Sequence, residues 1–136
     1  MSLPIARRHY RVTWSDAVHL HTRALETGGR PGTLNPHAVQ SALARPYHGY
    51  HKRIHQKAAA LLHGIVSNHG FADGNKRTAL LLVELLLRRS GYHLAADNRA
   101  FVDLIVGVAD GSIPYDSLVE WFQDRIDRQP EGPEAR

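Results

Sequence analysis

The 136-residue chain has no cysteine, which excludes disulfides, thiolate metal sites and cysteine nucleophiles. No apolar run approaches the ~18 residues needed to span a bilayer, and Met1 to Arg8 lacks the apolar stretch of a secretory signal. A cytoplasmic location without a membrane partner is therefore expected. The signature G-x-x-x-x-G-K-[ST] is missing, which disfavours a P-loop ATPase, and the helical zinc motif His-Glu-x-x-His is missing too. There are no internal repeats and no low-complexity tracts. No alternating apolar run argues for more than a minor hairpin, and that within Pro46 to Arg53. Acidic side chains are the scarcer charge: 13 Asp and Glu against 17 Lys and Arg, a formal net charge of +4. Such a surface suits nucleotides, acidic proteins or nucleic acid, but a solvated basic face explains it equally well. No nucleic-acid partner is assigned on charge alone.

What the chain does have is one stretch dense in reactive groups, His69 to Thr78, reading His-Gly-Phe-Ala-Asp-Gly-Asn-Lys-Arg-Thr. It leads into a strongly apolar helix expected over about Asn75 to Ser90. The first amides of a helix lack intrahelical partners and face the positive end of its dipole, so they bind anions. Gly74 lets a phosphate approach the backbone without a Cβ in the way. Asn75 can cap the helix or touch the same phosphate, and Lys76 and Arg77 add full positive charge. Asp73, just before these amides, can hold a Mg²⁺ that bridges phosphate oxygens, since this ion takes one or two carboxylates with phosphate and water. His69, upstream, can accept a proton from an attacking hydroxyl near neutral pH. The candidate site is thus His69 as general base, Asp73 for metal, and Gly74, Asn75, Lys76 and Arg77 for phosphate.

The stretch resembles the Fic/Doc family, whose motif reads H-x-F-x-D/E-G-N-G-R-x-x-R in the Fic branch and carries Lys at the second Gly in the Doc (death-on-curing) branch. His69, Phe71, Asp73, Gly74, Asn75 and Arg77 are in register. Lys76 stands at the branch-defining position and Leu80 where Fic enzymes have their last Arg, and both departures point to Doc. The likeness extends to the Gly28–Gly32 loop, to Ser41-Ala-Leu-Ala-Arg-Pro46, and to Arg88-Arg-Ser-Gly91. It implies a compact all-α domain and a Mg²⁺-dependent transferase that uses ATP as substrate. The Doc branch implies transfer of the γ-phosphate to a hydroxyl of a protein target, by analogy a translation elongation factor. It also implies the toxin role in a toxin–antitoxin pair, with a cognate antitoxin as partner. AMP transfer, as in the Fic branch, is the alternative enzyme reading. A catalytically silent basic domain that binds another protein is the alternative from a different class.

In chain order, about six helices are expected. Thr13-Trp-Ser-Asp16 starts like a capping box, with a stripe of Trp14, Ala17, Leu20, Ala24 and Leu25 stopped by Gly28-Gly29. Asn35-Pro36 opens a short helix through about Ala44. Pro46 to Arg53, polar and aromatic, is taken as a mobile flap ahead of the helix pair that bears the motif. A helix over about Ile54–Asn68 delivers His69, and the helix after the motif is apolar nearly all round. Tyr92–Ala96 reads as a link. Two helices follow, one opened by Asp97 or Asn98 and one from about Tyr115 to Arg128, and residues 129–136 read as a disordered tail beyond a domain of residues 1–128. His51 and His55 stand at i, i+4 with His48 nearby, but no carboxylate lies in that run, so no zinc site is expected there. His19, His21 and His63 read as helix-surface or partly buried residues.

Overall fold

The computed structural model describes residues 9–129; of the tail expected over 129–136, all but Gln129 lies outside the described residues. Six α-helices run in order: α1 (Trp14–Ala24), α2 (Pro36–Ala44), α3 (Ile54–Asn68), α4 (Asn75–Arg89), α5 (Asn98–Ala109) and α6 (Tyr115–Arg125). The all-α class and the helix number agree with the reading of the sequence.

Local chemistry accounts for the helix starts. Thr13 accepts from the Asp16 amide at 3.1 Å while Asp16 Oδ2 accepts from the Thr13 amide at 2.9 Å, a closed capping box for α1. Asn35 Oδ1 accepts from the Ala38 amide ahead of Pro36, a residue suited to the first helical turn of α2. Asp97 caps α5 through the Ala100 amide at 2.8 Å.

The centre of the fold is α3 packed on α4. Ala58 to Leu62, Ile65 and Val66 of α3 are buried, as are Ala79, Leu82, Val83, Leu86 and Leu87 of α4. Around this pair α2, α1 and α6 contribute Val39, Ala42, Ala17, Leu20, Leu118 and Phe122 to one continuous core. Gly64 sets how closely α2 approaches α3, because a Cβ there would fall 2.9 Å from the Ala42 Cβ. No helix among the described residues is long and apolar enough to cross a membrane.

Two expectations change at the C-terminal side. The last helix stops at Arg125 rather than Arg128, and Ile126–Arg128 forms a strand, β2, antiparallel to a strand β1 at Tyr92–Leu94, where a link was expected. The cause is packing: Leu94 and Ile126, paired across the strands, lie half-buried against the core. Bonds from Ala95 N to Arg125 O (2.7 Å) and from Gln129 N to Gly91 O (2.9 Å) close the two ends. Strands of three residues are too short to display an alternation.

The expected flap is held at both ends. Residues Arg45–Tyr47 form a 3₁₀ turn with Pro46 buried. The Tyr47 hydroxyl donates to Tyr10 O and accepts from Val12 N, both at 2.7 Å, and His51 Nδ1 lies 3.3 Å from the Tyr115 hydroxyl.

This region gathers histidines whose charged form is disfavoured. Burial and the Arg45 guanidinium hold His51 and His63 below the ordinary imidazole value, with His48 and Lys57 adding to the effect on His51. Burial and Arg53 lower His55, and burial and Lys57 lower His9. Because the folded-state values are depressed, the unfolded chain binds protons first as pH falls through the ordinary value of 6.5. Stability is therefore full above that point and declines below it. The melting temperature is expected to fall between about pH 7.5 and about pH 5.5. The double substitution His51→Gln, His63→Gln should flatten that slope, and an unchanged slope would count against these two residues as its source.

Candidate functional site

The reactive loop is fixed at its entry by an unusual backbone turn. His69 closes α3 in the left-handed conformation (φ 48°, ψ 46°), the one non-glycine residue with positive φ among the described residues. A side chain in that region costs on the order of 1–3 kcal/mol and persists where surrounding structure imposes it. Here the next two residues impose it. Gly70 lies hard against α2, where a Cβ would meet Val39 and approach Asn35 O at 3.3 Å. Its carbonyl accepts from the amides of Leu34 and Asn35 at 2.8 and 3.0 Å. Phe71 then plunges into the core at 2% exposure and leaves the His69 imidazole outside.

Asn75 locks the loop from its other end. Its Oδ1 accepts from Phe71 N (3.1 Å) and its Nδ2 donates to Phe71 O (3.0 Å), so the amide side chain mimics a strand partner for one residue. The cap of α4 is accordingly Gly74, in the left-handed region at φ 76°, and not Asn75. With its side chain spent on Phe71, what Asn75 can offer a phosphate is its backbone N–H. The first bond of the helix runs from Thr78 N to Gly74 O at 2.9 Å. Among the described residues no acceptor meets the amides of Asn75, Lys76 and Arg77.

Asp73 is exposed and stays ionised. The Arg30 and Gly74 amides donate to its Oδ2 and Oδ1 at 3.2 and 2.9 Å. These bonds, with the charges of Arg30 and Arg77, hold the carboxyl below the usual carboxylate range. One carboxylate whose orientation is set by two amides, next to helix-terminal amides without partners among the described residues, is a donor that fits Mg²⁺ as one of its one or two carboxylates. Gly29 permits the approach of the Arg30 amide, since at φ 119° a Cβ would sit 2.8 Å from Leu25 Cδ2 and 3.3 Å from Asp73 Oδ2.

Arg77 has a second duty. Its Nη1 donates to Ala24 O at 2.8 Å and to the Thr27 hydroxyl at 2.9 Å, with Gly28 O at 3.5 Å. The guanidinium thus ties α4 to the end of α1, and its remaining edge faces no described partner. Lys76 is exposed and without a hydrogen-bond partner among the described residues.

His69, Asp73, Gly74, Asn75, Lys76 and Arg77 all line one open cleft of about 650 Å³, completed by Thr27, Gly28, Gly29, Val66, Ala72 and Ala109. All six residues expected from the sequence are brought together. The segment expected as a flap contributes nothing to this lining; the loop that borders the cleft is the one after α1. Sequence reasoning also undervalued His21, buried at 7% exposure, whose Nε2 lies 2.8 Å from Asp73 O. The available signal was its spacing, four residues after Ala17 and beside Leu20, on the buried stripe of α1.

Removing the Asn75 clasp should loosen the loop and leave both polar groups of the Phe71 backbone unpaired. Asn75→Ala is expected to cost about 1–3 kcal/mol, read as a lower urea midpoint at unchanged m-value. A wild-type midpoint would show that the clasp is dispensable.

The chain is similar in sequence to known proteins. The chain matches the model of the Fic/DOC family over residues 11–87. It is 40% identical over 88 residues to the toxin Doc of Mycolicibacterium smegmatis, an alignment covering 59% of this chain and 67% of that protein. It is 33% identical over 97 residues to the protein kinase doc of Escherichia phage P1, covering 68% of this chain and 76% of that one. The family match spans the motif loop and both helices that carry it, and the chain belongs to the Fic/DOC family.

Proposed function

We propose that this protein is a Doc-like toxin that transfers the γ-phosphate of ATP to a hydroxyl of a protein target and is restrained by a cognate antitoxin. The observation that carries the reading is an exposed imidazole, an ionised carboxylate and three helix-terminal amides, the imidazole and the amides without partners among the described residues, all facing one cleft. The names of the two relatives, a toxin and a protein kinase, support the class of activity. A translation elongation factor is the target suggested by the Doc resemblance.

In this reading the amides of Asn75, Lys76 and Arg77 bind the triphosphate at the positive end of α4, and the Lys76 ammonium and the outer edge of Arg77 add charge. Asp73 would hold Mg²⁺, which when bound neutralises the phosphates. His69 Nδ1 or Nε2 takes the proton of the target hydroxyl as that oxygen bonds to the γ-phosphorus. The bond from the γ-phosphorus to the β–γ bridging oxygen breaks, and ADP leaves with the electron pair. Lys76 decides which phosphorus is attacked. A glycine there would leave room for the α- and β-phosphates deep in the helix terminus, whereas the lysine side chain fills that space and favours the γ end near His69.

Cell lysate incubated with the protein and γ-labelled ATP should yield a labelled protein, and α-labelled ATP should not. His69→Ala should lower transfer by about 10²–10⁴-fold with ATP binding nearly intact. Label from the α position would favour AMP transfer instead, and no label from either would favour a silent binding domain.

Lys76→Gly provides a separate check on the choice of phosphorus. It should sharply reduce γ transfer, whereas wild-type γ transfer by that variant would remove the residue from the choice of reaction.

A further inference from the structure

We propose that His21 of α1 is a positioning residue for the reactive loop, acting through a single peptide group to set the orientation of the Asp73 carboxylate. Among the described residues it is the one titratable side chain in the buried class. Such a group costs free energy unless its polar atoms are satisfied. Its Nε2 lies 2.8 Å from Asp73 O, and because a carbonyl only accepts, that nitrogen carries the hydrogen. Its ring lies flat on Phe71, with centroids 3.9 Å apart and planes 12° from parallel. One side chain therefore grips the loop at two residues, on either side of Ala72.

The consequence comes from peptide planarity. The Asp73 carbonyl and the Gly74 N–H belong to the same trans peptide and point in opposite directions. Fixing the carbonyl on His21 aims the N–H away from α1, and that N–H donates to Asp73 Oδ1 at 2.9 Å. The peptide thus transmits the position of α1 to the carboxylate. The same plane sets Gly74, the cap from which the free amides of α4 begin, and a Cβ at Gly74 would stand only 3.7–3.8 Å from the His21 ring. The ring fills space as Phe would; the N–H is what phenylalanine lacks.

The effect on turnover rests on the proposed transferase activity, but the effect on the loop does not. The test uses His21→Phe, which keeps an aromatic ring for the stack, and His21→Gln, which places an N–H near the Nε2 position without the ring. Melting curves verify that each is folded. In His21→Phe the ¹⁵N–¹H resonance of Gly74 should move. The γ-phosphate transfer rate should fall about 10- to 100-fold, and the Mg²⁺ concentration for half-maximal rate should rise. His21→Gln should recover much of both losses. A Gly74 resonance at its wild-type position in folded His21→Phe would overturn the proposal even if the wild-type protein transfers no label. Losses that are equal in the two variants and track their melting temperatures would overturn it as well, since a purely space-filling role predicts that pattern.

Discussion

Burial of α4 against α3 decides where every reactive group can go. Six residues, His69 to Gly74, join two helices whose facing sides are sealed in the core, so both ends of the loop are fixed before its own bonds are counted. A loop that short between anchored ends has little freedom to lose. The left-handed turn at His69 and the left-handed cap at Gly74 are the two bends that let the chain reverse within it. Between them Phe71 serves as the internal anchor, held by Asn75 on its backbone and by His21 on its ring. The polar groups project into the cleft because the apolar one is committed inward.

The second constraint is the brace from α1. His21 reaches the loop, and Arg77 reaches back to Ala24 and Thr27, so α1 and the start of α4 are cross-linked in both directions. The loop after α1 is drawn to the same place: its Arg30 amide meets Asp73, and Ala72 N bonds to Gly32 O at 2.9 Å. The floor of the cleft and one of its walls are therefore a single hydrogen-bonded unit. Arg77 is the structural tie between them, through Ala24 O and the Thr27 hydroxyl.

Much of this was legible in the sequence, for identifiable reasons. Thr13 with Asp16, and Asn35 with Pro36, are local signals whose partners lie within three residues, and each marked a helix start correctly. The long apolar run of α4 identified the central helix, although Glu84 and Arg88 with the half-buried Leu80 and Leu81 give it a solvent side that an apolar helix all round would lack. The six candidate residues could be grouped from the sequence because they lie within nine positions of one another, and all six line one cleft. What escaped depends on contacts distant in sequence. Three-residue strands show no period, and β1 with β2 exists only because Leu94 meets Ile126 across the fold. His21 and Asp73 are 52 residues apart, and a histidine on an apolar stripe does not announce its acceptor. The Pro46–Arg53 segment looked mobile because nothing local revealed that Tyr47 would reach Tyr10 and Val12.

The strand pairing has a bearing on geometry at the scale of the whole molecule. Tyr10 N bonds to Ser90 Oγ at 2.8 Å and Gln129 N to Gly91 O at 2.9 Å, so the first and last described segments converge on the residues that terminate α4. The cleft lies at the opposite end of that helix, about 22 Å away at 1.5 Å per residue. The two ends of the described chain thus lie near one pole of the molecule and the cleft near the other. The face that holds the cleft is therefore clear of both ends of the described chain.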